Sequence, residues 1–290
     1  MDLLLPTGAV LGIDVGFSAK KRTTCFCLLA WDQSTVTVDF RITGSETTER
    51  ARTIAELCNC RELAAVALDG PLVHDLELVN HYRVAEAILS RGVLQKRGKP
   101  GQTSAPTGRQ LHSHATSLAK QVLSSVAIAA SSHWQPIHER RIVEAFPNLF
   151  LAALIDEERL PVLARDASDR YWEVVVKQSD RIDRLIRHLL PTRRIRDTLQ
   201  ECGNHEKRAG VVCALTALCV AAGEHVAVGD PVDGDIMLPP YSTWGVGWHR
   251  PDSWLEPVLR ANVCTARISQ KAHHNHKQGR VATVSGPWFS

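Results

Sequence analysis

The sequence near the start of the chain reads Ala9-Val10-Leu11-Gly12-Ile13-Asp14-Val15-Gly16, an apolar run that ends in an acidic residue and a glycine. Short apolar runs bounded by turn residues are typical of buried strands. Two further strand-like runs follow, at residues 24–31 and 34–40. Only Asp32 and Gln33 separate these two runs, a connection short enough for a hairpin. The three runs therefore predict an antiparallel meander.

Strand and helix patterns alternate beyond this meander. Ile54, Leu57 and Cys58 recur at helical spacing, and further helices are expected over residues 77–90, 111–126, 169–190 and 204–222. A fourth strand, residues 64–69, stops at Gly70-Pro71, and a fifth, residues 142–146, stops at Pro147. The order predicts an α/β fold with a mixed five-stranded sheet flanked by helices. Strands 1–3 form the meander, strands 4 and 5 are parallel, and the C-terminal extension is irregular.

The composition is that of a soluble globular protein. The 290 residues are 44% hydrophobic and 22% charged, which excludes a disordered or low-complexity chain. No stretch approaches the roughly 20 apolar residues of a membrane span, and the first residues lack the pattern of a signal peptide. Eight cysteines are too few for a disulfide scaffold. We therefore expect a cytoplasmic protein with no membrane partner. The net charge of +3 does not by itself identify a binding partner.

The chain divides into a main domain over residues 1–240 and a C-terminal extension over 241–290. A basic loop and helical insertion at 77–135 belongs to the main domain. The extension holds four of the seven tryptophans and a histidine-rich tract. We expect its tryptophans to pack the extension onto the main domain.

Two aspartates end the first and fourth predicted strands. Asp14 and Asp69 are each followed by a glycine within two residues, which lets backbone or ligand approach closely. Burying two carboxylates is costly unless each accepts hydrogen bonds or a cation lies between them. Both explanations stay open, because aspartate also favours the starts of loops for purely structural reasons.

Two glutamates are further candidates for the same site. Glu144 lies in the fifth strand, where it could instead face solvent on the polar side of an alternating strand. Glu206 lies in the first turn of the helix predicted after Asn204, on its apolar side. Its alternative role is to complement the helix dipole.

Converging carboxylates are the ligands that Mg²⁺ or Mn²⁺ require. Two such ions about 4 Å apart hydrolyse phosphodiesters without a covalent intermediate, because one activates water and the other stabilises the leaving oxygen. We therefore take Asp14, Asp69, Glu144 and Glu206 as candidate catalytic residues. No locally spaced Ser-His or Cys-His pair competes with this interpretation, although a triad from distant positions stays open.

Several motifs together resemble a family of predicted nucleases, long classed as a domain of unknown function, within the ribonuclease H and Holliday-junction resolvase-like superfamily. They are Gly12-Ile13-Asp14, Leu68-Asp69-Gly70-Pro71-Leu72, Arg83-Val84-Ala85-Glu86, Val143-Glu144-Ala145-Phe146-Pro147 and Cys213-Ala214-Leu215-Thr216-Ala217. The resemblance covers roughly residues 11–240. It implies an RNase H-like fold for residues 1–240 and metal-dependent cleavage of nucleic acid, with Asp14, Asp69 and Glu144 as ligands of Mg²⁺ or Mn²⁺.

One position departs from the family pattern. The family usually has an acidic residue near Arg208 or Ala209, and neither is acidic in this chain. Glu206 lies one helical turn before Ala209, and helical side chains lean toward the N-terminus, so Glu206 could reach the same space. If it does not, the site has lost a ligand.

The expected partner is DNA or RNA, bound through its backbone. No Asp or Glu occurs between Ala87 and His138, and basic residues of this segment could neutralise phosphates or simply form a solvated loop. The predicted substrate-binding residues are Lys20, Lys21, Arg83, Glu86, Lys96, Arg97, Lys99 and Arg109. The Arg83 and Glu86 pair has the spacing of an ordinary surface ion pair on a helix and is included on the family resemblance.

Two other functions stay open. The segment Gly12-Ile13-Asp14-Val15-Gly16 also resembles the first phosphate loop of the sugar kinase, actin and Hsp70 superfamily, which would make the chain a nucleotide-binding phosphotransferase-like protein. A catalytically weakened nucleic-acid-binding module is the other alternative, motivated by the missing acidic residue near Ala209. The sequence leaves the oligomeric state undetermined.

Overall fold

A computed structural model describes residues 3–73, 82–96, 100–130, 140–160, 167–196, 199–230, 233–245, 253–263 and 283–285. The strands are β1 (Gly8–Asp14), β2 (Thr24–Trp31), β3 (Thr35–Thr43), β4 (Ala65–Asp69), β5 (Ile142–Ala145), β6 (Arg194–Ile195), β7 (Val226–Asp230), β8 (Gly234–Leu238) and β9 (Thr283–Ser285). The α-helices are α1 (Thr47–Cys58), α2 (Val84–Leu89), α3 (Pro106–Ser125), α4 (Pro147–Ala153), α5 (Ala167–Trp172), α6 (Arg181–Leu189), α7 (His205–Ala221) and α8 (255–263).

The strands form one mixed sheet in the order β6-β3-β2-β1-β4-β5-β8-β7-β9. β1, β2 and β3 pair antiparallel, as the meander pattern predicts, and β4 and β5 run parallel to β1. The prediction of only five strands is wrong, because β6 extends one edge and β8, β7 and β9 extend the other. The coarser prediction of an α/β fold with a mixed sheet between helices is confirmed.

Helix α7 lies against the centre of the sheet on one face. The close approach depends on glycine, since a Cβ on Gly12 of β1 would overlap the backbone of Gly210 and Ala214. From Ala209 to Val220 every residue of α7 is buried. No helix within the described ranges is both long and apolar enough to cross a membrane.

Helices α1 and α3 cover the opposite face of the sheet. Ile13, Leu68 and Phe26 point to this face and pack against Ile54, Leu57 and other apolar residues of the two helices. Side chains alternate between the faces of a strand. Asp14 and Asp69, next to Ile13 and Leu68 in sequence, therefore point to the α7 face.

Two local predictions differ from the structure. The helix expected over 169–190 is interrupted: α5 passes into a π-helical turn at Glu173–Lys177, and α6 begins only at Arg181. The Ser179 hydroxyl donates to the Val174 and Val175 carbonyls, which competes with the regular helix ladder. Residues 77–81 of the helix expected over 77–90 lie outside the described residues. Within the rest of that range, α2 covers only Val84–Leu89.

Candidate active site

Asp14 and Asp69 are direct neighbours at one rim of the sheet. β1 and β4 are parallel, and their register pairs Asp14 with Asp69 as the last residue of each strand. Register partners in a parallel pair point to the same face, so both carboxylates lie on the α7 side. Each residue is partly exposed. The pair expected from the two strand-terminal motifs is therefore formed.

The two carboxylates have no described partner that would neutralise their negative charge when they ionise. Neither accepts a hydrogen bond or forms an ion pair with any residue that the structure describes. Burial and the charge of Asp69 hold the pKa of Asp14 well above its usual range. Burial and the charge of Glu144 raise the pKa of Asp69 to about 7. Such a pair costs free energy in the folded state unless a proton or a cation binds to it.

Glu206 adds a third carboxylate on the same face. Asn204 caps α7 by accepting the Lys207 backbone N–H at 2.9 Å, which fixes the first turn of the helix at this rim. The charge of Glu206 contributes to the raised pKa of Asp14. Glu206 is partly exposed. The structure thus brings Glu206 near Asp14, as the position of the α7 N-terminus requires.

The loop that follows Asp14 is held rigidly. The Gly16 carbonyl accepts from Thr24 Oγ1 at 3.0 Å and from Nη2 of the buried Arg50 at 2.5 Å. Arg50 Nε also donates to the Gly44 carbonyl at 3.1 Å. A Cβ on Gly16 would overlap Thr23, so the loop needs glycine there. These contacts fix the end of β1 and with it Asp14.

Lys20 and Lys21 stand exposed on the same loop. Their backbone N–H groups both donate to Ser18 Oγ, at 3.2 and 3.1 Å. Phe17 stacks on His114 of α3 with ring centroids 6.1 Å apart, which ties the loop to that helix. Neither lysine forms an ion pair with a described residue. Both ammonium groups are therefore presented to solvent at the rim of the carboxylates.

Glu144 points to the other face of the sheet. It is the register partner of Leu68, whereas Asp69 pairs with Ala145, so alternation places Glu144 opposite the two aspartates. Both of its oxygens are bound by Arg83, with Nη1 to Oε2 at 3.0 Å and Nη2 to Oε1 at 2.6 Å. Burial outweighs this ion pair and raises the pKa of Glu144. Its carboxylate is thus bound by Arg83 on the opposite face, although its charge is close enough to raise the pKa of Asp69.

The Arg83 side chain is the centre of a second, buried cluster. Its Nε donates to Glu86 Oε1 at 2.8 Å, and its Nη1 also donates to the Asp233 carbonyl at 3.1 Å. Glu86 in turn accepts from the Thr103 hydroxyl and backbone N–H. Arg83 and Glu86 are each only 1% exposed, so they form an internal network and not a surface ion pair.

A small cavity adjoins this Arg83 cluster. It has a volume of about 70 Å³ and is bordered by Asp69, Arg83, Glu86 and Glu144, among others. Asp235 of β8 lies near the same cluster, and burial together with Asp230 and Glu144 raises its pKa to about 6. The aspartate pair and the carboxylates bound around Arg83 thus have different partners but lie next to each other.

The remaining predicted substrate residues are less defined. Arg109 is exposed on α3, where its Nε donates to the Ser104 carbonyl at 2.8 Å. Lys96 ends a 3₁₀ turn, and only its backbone is described. Arg97 and Lys99 lie outside the described residues.

Three residues in or near the Arg83 cluster were not predicted from the sequence. Asp233 binds the Val84 backbone N–H through its carboxylate at 3.2 Å, Thr103 holds Glu86, and His112 is near enough to lower the pKa of Glu144. Asp230, Asp233 and Asp235 form an acidic series in a glycine-containing segment, which is a sequence signal for a functional turn. Thr103 and His112 carry no comparable signal.

The residues of the α7 face fit a hard divalent cation. Asp14 and Asp69 offer carboxylate oxygens without a competing donor, and Mg²⁺ is commonly held by one or two carboxylates with water completing its shell. Across the described ranges, no group of three or more His, Cys, Asp or Glu side chains is arranged to hold a metal. The aspartate pair therefore offers two carboxylates to such an ion, and Glu144, which is bound by Arg83, is not a third.

A larger cavity lies at the other rim of the sheet. Its volume is about 1090 Å³, and its lining includes Leu5, Gly8, Trp31 and Leu63. Ligands of open α/β sheets bind beyond the carboxyl ends of the strands, and this groove adjoins their amino ends. Its lining mixes acidic and basic residues, among them Glu62 and Arg61.

Comparison with known proteins gives no match: no family model, no curated protein and no solved structure is similar to the chain. The functional interpretation therefore depends on the geometry of the acidic rim. Its central element is the Asp14 and Asp69 pair, with Glu206 beside it and two free lysines on the adjoining loop.

Proposed function

We propose that the protein is a metal-dependent nuclease that hydrolyses phosphodiester bonds of nucleic acid at the Asp14 and Asp69 rim. In this proposal the unit β3-β2-β1-β4-β5 is an RNase H-like core, and Mg²⁺ or Mn²⁺ is the cofactor. The single observation that carries the proposal is the register pairing of two partly exposed aspartates that lack any described protein donor.

The chemistry follows from the charge of this pair. A divalent cation, when bound, supplies Lewis-acid chemistry that polarises a phosphoryl oxygen and eases deprotonation of an attacking water. Asp14 and Asp69 would hold the cation, and Glu206 would keep the negative potential high on the same face. The contacts of Arg50 and Thr24 with Gly16 fix the position of Asp14, which lowers the cost of ordering the site.

Lys20 and Lys21 support nucleic acid as the substrate. Both are exposed on the loop directly after Asp14 and have no described carboxylate partner. Lysine contacts to phosphates position a nucleic-acid strand without reading its sequence. Two ammonium groups at the edge of an acidic site therefore fit a phosphodiester backbone that passes over the carboxylates.

A nucleic-acid-binding module without cleavage activity is the second candidate. The observation that favours it is the commitment of Glu144 to Arg83, which leaves the α7 face with fewer carboxylates than the sequence predicts. Such a protein would bind DNA or RNA through the same lysines and would not turn it over with any divalent cation.

The test is cleavage of end-labelled single-stranded DNA, duplex DNA and RNA with Mg²⁺ or Mn²⁺. We expect wild-type activity to be abolished by EDTA and reduced at least 100-fold by Asp14→Asn or Asp69→Asn, a factor that corresponds to about 2.7 kcal/mol. Glu56→Gln, an exposed carboxylate on α1, is the matched control and keeps full activity. Equal cleavage by all four proteins would refute the proposal, and binding without cleavage would favour the second candidate.

A further inference from the structure

The cluster around Arg83 bears on how many metal ions the rim binds. Arg83 is 1% exposed and Glu144 is 6% exposed, so the ion pair between them is almost fully removed from solvent. The guanidinium and carboxylate meet through two parallel hydrogen bonds, the strongest arrangement available to these groups. Breaking it would leave the Glu144 carboxylate buried without the cation that neutralises it.

We propose that the rim binds a single divalent cation, held from the α7 face by Asp14 and Asp69, and that the Arg83 guanidinium supplies the positive charge at Glu144 that a second cation would otherwise supply. This inference rests on the proposed metal-dependent function and specifies its site. Arg83 is then a positioning residue, because it acts through Glu144 and not on substrate.

The orientation of Glu144 is the first argument. Its register partner is Leu68, and the aspartates pair with each other one position further along, so strand alternation places Glu144 on the opposite face of the sheet. Its charge still reaches Asp69 at the rim. An ion held between Asp14 and Asp69 would have to draw Glu144 across the sheet rim. The fork from Arg83 holds the carboxylate on the opposite face.

Charge is the second argument. Any cation on either oxygen of Glu144 would lie next to the guanidinium, and the two positive charges repel strongly where water screens them poorly. The guanidinium cannot withdraw easily, since Glu86 and the Asp233 carbonyl hold two more of its N–H groups at 2.8 and 3.1 Å. Arginine also cannot lose its charge at any ordinary pH.

The contrast between the two carboxylate sets is the third argument. Glu144 and Glu86 each contact a cationic nitrogen, whereas Asp14 and Asp69 contact no described cation. The fold therefore neutralises one set internally and leaves the other for an external charge. A cavity of about 70 Å³ bordered by Asp69 and Glu144 brings the two sets side by side without merging them.

The experiment is a Mn²⁺ titration of the full chain by isothermal calorimetry, with free Mn²⁺ followed by electron paramagnetic resonance. We expect one Mn²⁺ per wild-type chain, at least tenfold weaker binding in Asp14→Asn and Asp69→Asn, and a change of less than threefold in Glu144→Gln. Glu144→Gln keeps an oxygen that accepts from Arg83, and Glu56→Gln is the exposed control. A fourth variant, Arg83→Ala, should gain a second and weaker Mn²⁺ site at Glu144.

The outcomes separate this inference from the function on which it rests. Two Mn²⁺ ions per wild-type chain, or a Glu144→Gln defect as large as that of Asp69→Asn, would overturn the single-cation site and leave a metal-dependent nuclease standing. A folded Arg83→Ala chain that gains no second site would overturn the role of the guanidinium. Absence of any Mn²⁺ binding would overturn both proposals. If Arg83→Ala does not fold, the wild-type stoichiometry and Glu144→Gln decide alone.

Discussion

Asp14 and Asp69 are register partners across β1 and β4, and burial together with the charge of Asp69 raises the pKa of Asp14. The folded protein therefore holds two like charges together at a place where water screens them incompletely. Functional sites often carry such unfavourable electrostatics, because the charge that destabilises the empty fold is the charge that binds a cation. The free energy of unfolding of the metal-free protein should therefore depend on the ionisation of these two carboxylates.

The free energy of unfolding should fall as pH rises from about 4 to 8 in the presence of EDTA. The folded pKa of Asp69 is about 7, above the unfolded value, and that of Asp14 is also raised. A raised pKa contributes stability that is present below the unfolded pKa and lost as pH passes through the folded pKa. We expect a loss of about 4 kcal/mol from Asp69 alone, to which Asp14 adds. Urea unfolding at half-unit pH steps measures it, and a flat or rising profile over this range would contradict the pKa assignments.

Asp69→Asn should stabilise the metal-free protein by about 4 kcal/mol at pH 8 and change its stability little at pH 3, below the unfolded pKa. Asparagine keeps the shape of the side chain and cannot ionise, so the pH-dependent loss of stability becomes shallower. Asp39→Asn is the matched control, because Asp39 is exposed on β3. Equal pH profiles for wild type and Asp69→Asn would show that ionisation of Asp69 does not lower the free energy of unfolding.

The meander and the aspartate pair were predictable because each depends on local pattern. Alternating and continuous apolar runs define β1 to β5, and aspartates at the ends of two parallel strands must meet at one rim. The strands β7 and β8 were not predicted. Their apolar runs, residues 226–228 and 236–238, are short, and the stretch between them is rich in Gly and Asp, as in a loop. The two runs form a hairpin whose strand β8 pairs with the edge of β5.

The role of Glu144 could not be obtained from sequence. A glutamate in an apolar strand is compatible with a metal ligand, with solvent exposure and with a buried ion pair. The choice is made by Arg83, which lies 61 residues away in the chain. Spacing of three residues between Arg83 and Glu86 likewise gives no sign that both are buried. Tertiary contacts of this kind override local pattern.

Gly12→Ala should destabilise the protein by about 3 kcal/mol or prevent folding. A Cβ at this position would overlap the backbone of Gly210 and Ala214, and backbone cannot move aside as a flexible side chain can. Gly203→Ala is the control: its nearest neighbour would be the Glu201 carbonyl at 3.8 Å, so its stability should stay within about 1 kcal/mol of wild type. Chemical denaturation compares the two, and equal stability would contradict the close packing of α7 on β1.

Lys20→Ala/Lys21→Ala should weaken binding of labelled nucleic acid about tenfold at low salt, with no preference for sequence. Each phosphate contact that is lost should reduce the slope of log K against log salt by about 1, so the double variant should lower it by about 2. The measurement is fluorescence anisotropy from 50 to 300 mM salt with EDTA present, which isolates binding from cleavage. Lys177→Ala removes an exposed lysine that pairs with Glu173 at 3.0 Å, and it should bind like wild type. An unchanged slope in the double variant would place the phosphate contacts elsewhere, because the loop after Asp14 would then not meet the backbone of the nucleic acid.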